Sequence, residues 1–140
     1  MIKVAPSILS ADYVNLQKDI EKVYHAGAEY LHIDVMDGTF VPSISYGPGF
    51  VKAIKPLTTM FLDVHLMVQS PEHLLPSFID AGADSIGVHV EATPHIHRAL
   101  QIIKNGGVNA EVVINPGTPV MMIEPVLGMV DQVLVMTVNP

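Results

Sequence analysis

Two stretches of the chain alternate ligand-type side chains with apolar ones: Leu31-His32-Ile33-Asp34-Val35-Met36-Asp37-Gly38 and Leu62-Asp63-Val64-His65-Leu66-Met67. Read as strands, a period of two puts His32, Asp34 and Met36 on one side of the first. It puts Asp63, His65 and Met67 on one side of the second, while Ile33 and Val35 face the other way. If the strands are neighbours, His32, Asp34 and His65 converge at one height. Two imidazoles and a carboxylate are a donor set for a divalent metal. A fourth ligand would come from another strand, from water or from the substrate. A single histidine in an apolar strand is ordinarily a hydrogen-bonded core residue. His-x-Asp beside Asp-x-His fits that account poorly, because burying so many polar groups is costly unless each is paired.

Other polar residues fall at the ends of apolar runs. Ser7 shares the phase of Ala5 and can enter the same mouth. His89 and Glu91 are read as support behind a metal site, with a surface pair as the alternative. Asp37 is out of phase with Asp34 and is assigned to a loop. Asn115 and Met136 close two later runs. Methionine is usually core filler, but Met36, Met67 and Met136 around a polar site would form an apolar, polarisable wall. His25 and His73 sit on predicted helices, and His95 and His97 are two apart, so these four look ordinary. A carboxylate beside a metal suits proton abstraction next to a carbonyl, with the metal stabilising the enediolate charge. Inverting the carbon needs a second acid on the opposite face, and Asp34 is the only good candidate seen.

The elements that must position these residues repeat a strand–helix unit. Strands are predicted at 3–9, 30–36, 61–67, 85–90, 110–115 and 132–138, and helices at 13–26, 47–54, 71–81, 95–104 and 120–127. Strand starts fall roughly 22 to 31 residues apart, a spacing that suits βα units and is too long for hairpins. Ser10 or Asp12 can cap the first helix, Ser70-Pro71-Glu72 reads as a cap followed by proline and acid, and Thr93-Pro94 does a similar job. Ala26-Gly27-Ala28-Glu29 and Ala81-Gly82-Ala83-Asp84 are the same helix-to-strand turn used twice. Mostly apolar strands imply a parallel sheet covered by helices, and right-handed crossovers wind every unit the same way. Six such units without a reversal predict a TIM (β/α)8 barrel, and the lack of Gly-x-Gly-x-x-Gly after the first strand weakens a dinucleotide-binding fold. Residues 1–140 are read as a single, C-terminally incomplete barrel domain, since two further units would need roughly 50 more residues. Its open edge strands would invite pairing with another copy, giving a homo-oligomer or aggregation.

The 140 residues are 49% hydrophobic and 15% charged, which is globular rather than disordered. A net charge of −7 with only seven Lys and Arg argues against a nucleic-acid partner. No apolar run approaches the roughly 18 residues of a membrane helix, and no export signal is seen. Zero cysteines exclude disulfides and thiolate metal sites, and a cytoplasmic location is the simplest expectation.

Ala5-Pro6-Ser7-Ile8-Leu9-Ser10-Ala11-Asp12, the stretch 31–38 with Phe40-Val41-Pro42, the stretch 62–67, Val88-His89-Val90-Glu91-Ala92 and Met136-Thr137-Val138-Asn139-Pro140 together resemble the ribulose-phosphate 3-epimerases, in order along the whole chain. The resemblance implies a (β/α)8 barrel that interconverts D-ribulose 5-phosphate and D-xylulose 5-phosphate in the pentose phosphate pathway. It implies one divalent metal ion (Zn, Fe or Mn) on His32, Asp34 and His65. Asp34 is implied as one of two acid/base groups, Ser7 and His65 as substrate contacts, and Met36, Met67 and Met136 as a thioether wall. The family's second aspartate and its glycine-rich phosphate loops match nothing in residues 1–140, so this stretch alone is expected to be inactive. A related epimerase of a hexulose 6-phosphate, or a metal-dependent lyase, remains the alternative, since both pass through an enediolate.

Overall fold

The computed structural model describes residues 2–140. Five parallel strands form one sheet in the order β1 (Tyr30–Met36), β2 (Phe61–Met67), β3 (Ser85–His89), β4 (Asn109–Ile114) and β5 (Gln132–Val135). Spatial order equals chain order, so each unit adds its strand beside the last, as in a (β/α) barrel. The crossovers carry α1 (Leu16–His25), α2 (Pro48–Ile54), α3 (Leu75–Asp80) and α4 (Ile96–Asn105). Each of these helices supplies buried apolar residues to the core, Ile20, Val51, Phe78 and Leu100 among them. They meet Leu31, Ile33, Val35, Leu62, Val64, Leu66, Ile86, Val88, Ala110 and Val112 from alternate positions of the strands. The intervening positions, the histidines and acids included, fall outside that cluster, so the sheet has one oily face and one polar face. Phe78 is only 1% exposed. Phe78→Ala is expected to destabilise the intact protein by about 3–5 kcal/mol, read as a lower urea midpoint at unchanged slope.

The strands at 30–36 and 61–67 match the expectation residue for residue, and the two later ones shift by a residue. The strand expected at 3–9 does not form. That segment runs beside β1 and gives it carbonyls, His32 N–H donating to Pro6 O at 2.9 Å, but makes only one parallel bridge, Ser7 to His32. Pro6 has no N–H to return to a ladder, and after Ser7 the chain tightens into a 3-10 turn at Ile8–Ser10. The sixth predicted strand is the observed β5 and stops at Val135. The helix expected at 120–127 is instead two 3-10 stretches, Val120–Met122 and Glu124–Met129, because Pro125 cannot donate to the preceding turn. Pro76 divides the third predicted helix in the same way, into a 3-10 turn at Pro71–His73 and the α3 turns.

Several caps behave as read. Asp12 accepts from Val14 N–H, and Thr93 accepts from His95 N–H ahead of α4. Ser70 does not cap: its φ of 50° is left-handed and its hydroxyl makes no cap bond. Gly27 and Gly82, in the repeated Ala-Gly-Ala phrase, have φ of 92° and 93°, the left-handed region that glycine enters at least cost.

Candidate metal centre

β1 and β2 pair with Asp34 opposite His65 and His32 opposite Asp63. That register brings His32, Asp34 and His65 together, with one ligand-type atom from each lying within 4.8 Å of the others. Asp34 is the hub. Its Oδ1 lies 3.2 Å from His32 Nε2 and 3.0 Å from His65 Nδ1, and its Oδ2 accepts the Ser7 hydroxyl at 2.5 Å. Ser45 fixes the backbone beneath: its hydroxyl donates to Asp34 O at 2.6 Å and accepts from Met36 N–H at 2.9 Å. Asp37 is in the loop, as expected, where its carboxylate accepts the N–H groups of Thr39, Phe40 and Gln69.

Behind each imidazole stands another polar group. His32 Nδ1 is 2.8 Å from Asp63 Oδ2. His65 Nε2 is 2.7 Å from His89 Nε2, and His89 Nδ1 is 3.2 Å from Glu91 Oε2. Glu91 is itself anchored through Oε1 by Asn115 N–H at 2.7 Å and the Thr118 hydroxyl at 2.5 Å. These contacts assign the tautomers. Burial, then the neighbouring His65, lowers His89 to about 4, so it is neutral near pH 7 and carries one proton. With that proton donated to Glu91 from Nδ1, His89 Nε2 is an acceptor. His65 then donates from Nε2, which leaves Nδ1, on the Asp34 side, as the nitrogen that would face a cation. His89 and Glu91 are thus support behind His65, and the surface-pair alternative is excluded.

The electrostatics fit a cation. Burial works against a charge on His32, but hydrogen bonds to Asp34 and then Asp63 outweigh it and raise this residue to about 10. Burial would likewise raise Asp34, yet the hydrogen bonds from His32 and His65, the His32 charge and the Ser7 hydroxyl hold it far below the ordinary carboxylate range. An imidazole that retains its proton to such high pH between a buried and a half-buried carboxylate marks a place with surplus negative charge. Two imidazoles whose outer nitrogens are already held, and one carboxylate between them, are the usual donors of a protein-bound divalent metal with its oriented support.

Met36 and Met67 sit opposite one another in the β1–β2 register, Met67 fully buried. Met136 follows β5, its N–H donating to Ile114 O, on the far side of β3 and β4 from that pair. His25, His73, His95 and His97 stand apart from the cluster. Sequence reasoning put Asp63 in phase with His65 but gave it no separate task, and it passed over Glu111, Gln132 and Ser45. Strand phase alone would have flagged Glu111, which shares a side of β4 with Asn109 and Val113.

A parallel, sequentially ordered α/β sheet with an imidazole–carboxylate cluster on its polar face defines part of a (β/α) barrel with a candidate metal site. Comparison with known proteins makes this specific. Residues 3–140 match the model of the Ribulose-phosphate 3 epimerase family, and the chain belongs to that family. It is 56% identical over 140 residues to a ribulose-phosphate 3-epimerase of Bacillus subtilis (strain 168), covering 100% of this chain and 64% of that protein. It is 53% identical to one from Synechocystis sp. (99% of this chain, 61% of that protein). It is 52% identical to the chloroplastic ribulose-5-phosphate-3-epimerase of Arabidopsis thaliana (99% and 50%). The chain therefore spans between half and about two-thirds of these relatives' lengths. Among solved structures, the TTHB071 protein from Thermus thermophilus superposes with a TM-score of 0.56 at 14% identity, over 91% of this chain and 61% of that one, a likeness of fold alone. Among the described residues, no helix is long and apolar enough to cross a membrane.

Proposed function

We propose that the protein is an isomerase that epimerises C3 of D-ribulose 5-phosphate to D-xylulose 5-phosphate, a reaction of the pentose phosphate pathway. The observation that carries this reading is the convergence of His32, Asp34 and His65 on one point with each imidazole's outer nitrogen engaged. These three residues would hold one divalent ion, of zinc, iron or manganese. When bound, such an ion supplies Lewis-acid stabilisation of the negative charge that proton removal leaves on the substrate oxygens. Asp34 takes the C3 proton. Its strongly lowered pKa belongs to the metal-free cluster, where the imidazole protons it accepts hold it as the anion. Ser7, already within hydrogen-bond reach of Asp34, and His65 contact the substrate, and Met36, Met67 and Met136 exclude water from it.

The acid that returns a proton to the opposite face, and the phosphate-binding groups, match no residue in 1–140, so the proposal concerns the whole protein. A cytoplasmic location and a homo-oligomeric state belong to the same reading. The cysteine-free composition supports the first, and the exposed Val120, Met121 and Met122 support the second. The test is solvent-deuterium incorporation by the intact protein, followed by NMR at C3 of a pentulose 5-phosphate and of a hexulose 6-phosphate. Faster exchange into the pentulose is expected. Faster exchange into the hexulose would favour the hexulose epimerase, and carbon–carbon cleavage would favour a lyase.

A further inference from the structure

Below the ligand cluster the polar face holds a second pair of acids. Asp63 on β2 and Glu111 on β4 are 3% and 1% exposed. They lie two strands apart, and β3 between them carries Gly87, directly opposite Glu111 in register. A Cβ at Gly87 would meet Glu111 Cδ at 3.2 Å and Oε1 at 3.3 Å, so the Glu111 carboxyl lies across that glycine. The missing side chain is what lets a residue of β4 turn toward β2, where the Asp63 charge acts on it.

Counting partners fixes the protonation. Asp63 Oδ2 takes His32 Nδ1–H at 2.8 Å, and Glu111 Oε2 takes Gln132 Nε2–H at 2.9 Å. The two remaining oxygens, Asp63 Oδ1 and Glu111 Oε1, are buried and have no donor. Two carboxylates cannot satisfy each other, since an ionised carboxylate only accepts. One added proton satisfies both oxygens at once and removes the repulsion between two buried anions. The proton is placed on Glu111, whose other oxygen meets only a neutral amide, while Asp63 Oδ2 is committed to an imidazole N–H. Burial and the Asp63 charge accordingly push Glu111 up to about 9.

We propose that Glu111 is a positioning residue for His32: as a neutral carboxylic acid it donates to Asp63 Oδ1, fixing the Asp63 carboxyl so that its Oδ2 holds His32 Nδ1–H and Nε2 is aimed at the cation site. This rests on the metal reading above and extends the line of support two strands further, through Glu111 to Gln132 on β5. The chain of contacts then runs Ser7, Asp34, His32, Asp63, Glu111, Gln132, crossing the polar face of the whole sheet.

The test uses the intact protein and two readouts. Infrared spectroscopy at about pH 7 on metal-free protein should show the carbonyl stretch of a protonated carboxyl that disappears in Glu111→Gln. Zinc affinity, read by competition with a chelator, should fall about tenfold in Glu111→Leu, the scale of losses at groups that orient metal ligands. Glu111→Gln, whose amide can donate to Asp63 and accept from Gln132, should stay near the parent. Absence of the acid band, Leu binding as tightly as the parent, or Gln failing together with Leu would each overturn the proposal. If the Leu variant does not fold, the band and the Gln variant decide. A parent protein that shows the band but takes no zinc would sink the metal reading and leave the shared proton standing.

Discussion

Asp34→Asn is expected to abolish exchange of the substrate's C3 proton with solvent, with kcat falling by roughly 10³-fold or more. The size follows from the three tasks that meet on one carboxylate. Its Oδ1 faces both imidazole nitrogens and its Oδ2 holds the Ser7 hydroxyl, so under the proposed function the substitution removes the base, weakens a metal donor and disturbs a substrate contact together. The amide is the same shape, and Ser45 pins the backbone at residue 34, so the fold should survive. An unchanged melting profile in the presence of metal would be consistent with this. Residual exchange at near-parental rate would exclude Asp34 as the base and transfer that role to a group beyond residues 1–140. Ser7→Ala, which removes one hydrogen bond to Oδ2, should have a much smaller effect and serves as the contrast.

Metal removal should expose an opposite pH dependence of stability and binding. In the metal-free protein His32 keeps its proton up to about 10, above the ordinary 6.5. Its stabilising contribution is therefore complete below about pH 6.5 and is lost as pH rises through about 10. Glu111, raised from 4.5 to about 9, acts with the same sign, since between those values the folded protein holds a proton that the unfolded chain has lost. Chelated protein should melt progressively lower from about pH 6.5 to about 8.5. Cation binding shows the reverse, because the ion must displace the His32 proton. Affinity should rise roughly tenfold per pH unit, about a hundredfold across that window, which by mass action is worth about 3 kcal/mol. The gap in melting temperature between manganese-loaded and chelated protein should widen accordingly, and restoring manganese should restore activity. A gap that is the same at both pH values would show that no proton is displaced on binding, and hence that His32 is not held protonated in the metal-free protein.

The chain's local order was legible because strand geometry is local. Side chains two apart share a face whatever the sheet around them does, so His32 and Asp34, and Asp63 and His65, could be grouped before any fold was known. Glycine's access to the left-handed region made the two Ala-Gly-Ala turns readable for the same reason, and proline's missing N–H would have marked Pro6, Pro76 and Pro125 as breaks had it been given more weight than apolar periodicity. The ligand trio followed from phase plus the assumption that the two strands are neighbours. The motifs that resemble the family agreed.

What only the tertiary structure decided is which groups face one another across strands. The register sets Asp63 opposite His32, behind the imidazole, with Asp34 opposite His65. The gap at Gly87 lets Glu111 turn toward Asp63 from two strands away, and His89 meets His65 from the neighbouring strand. Spacing along the chain carries none of this, because inter-strand register is set by how the helices pack the oily face, and side-chain rotamers by what space the neighbouring strand leaves. The sequence by itself thus determined which residues share the polar face. Packing determined which of them stand behind the candidate cation site and orient it.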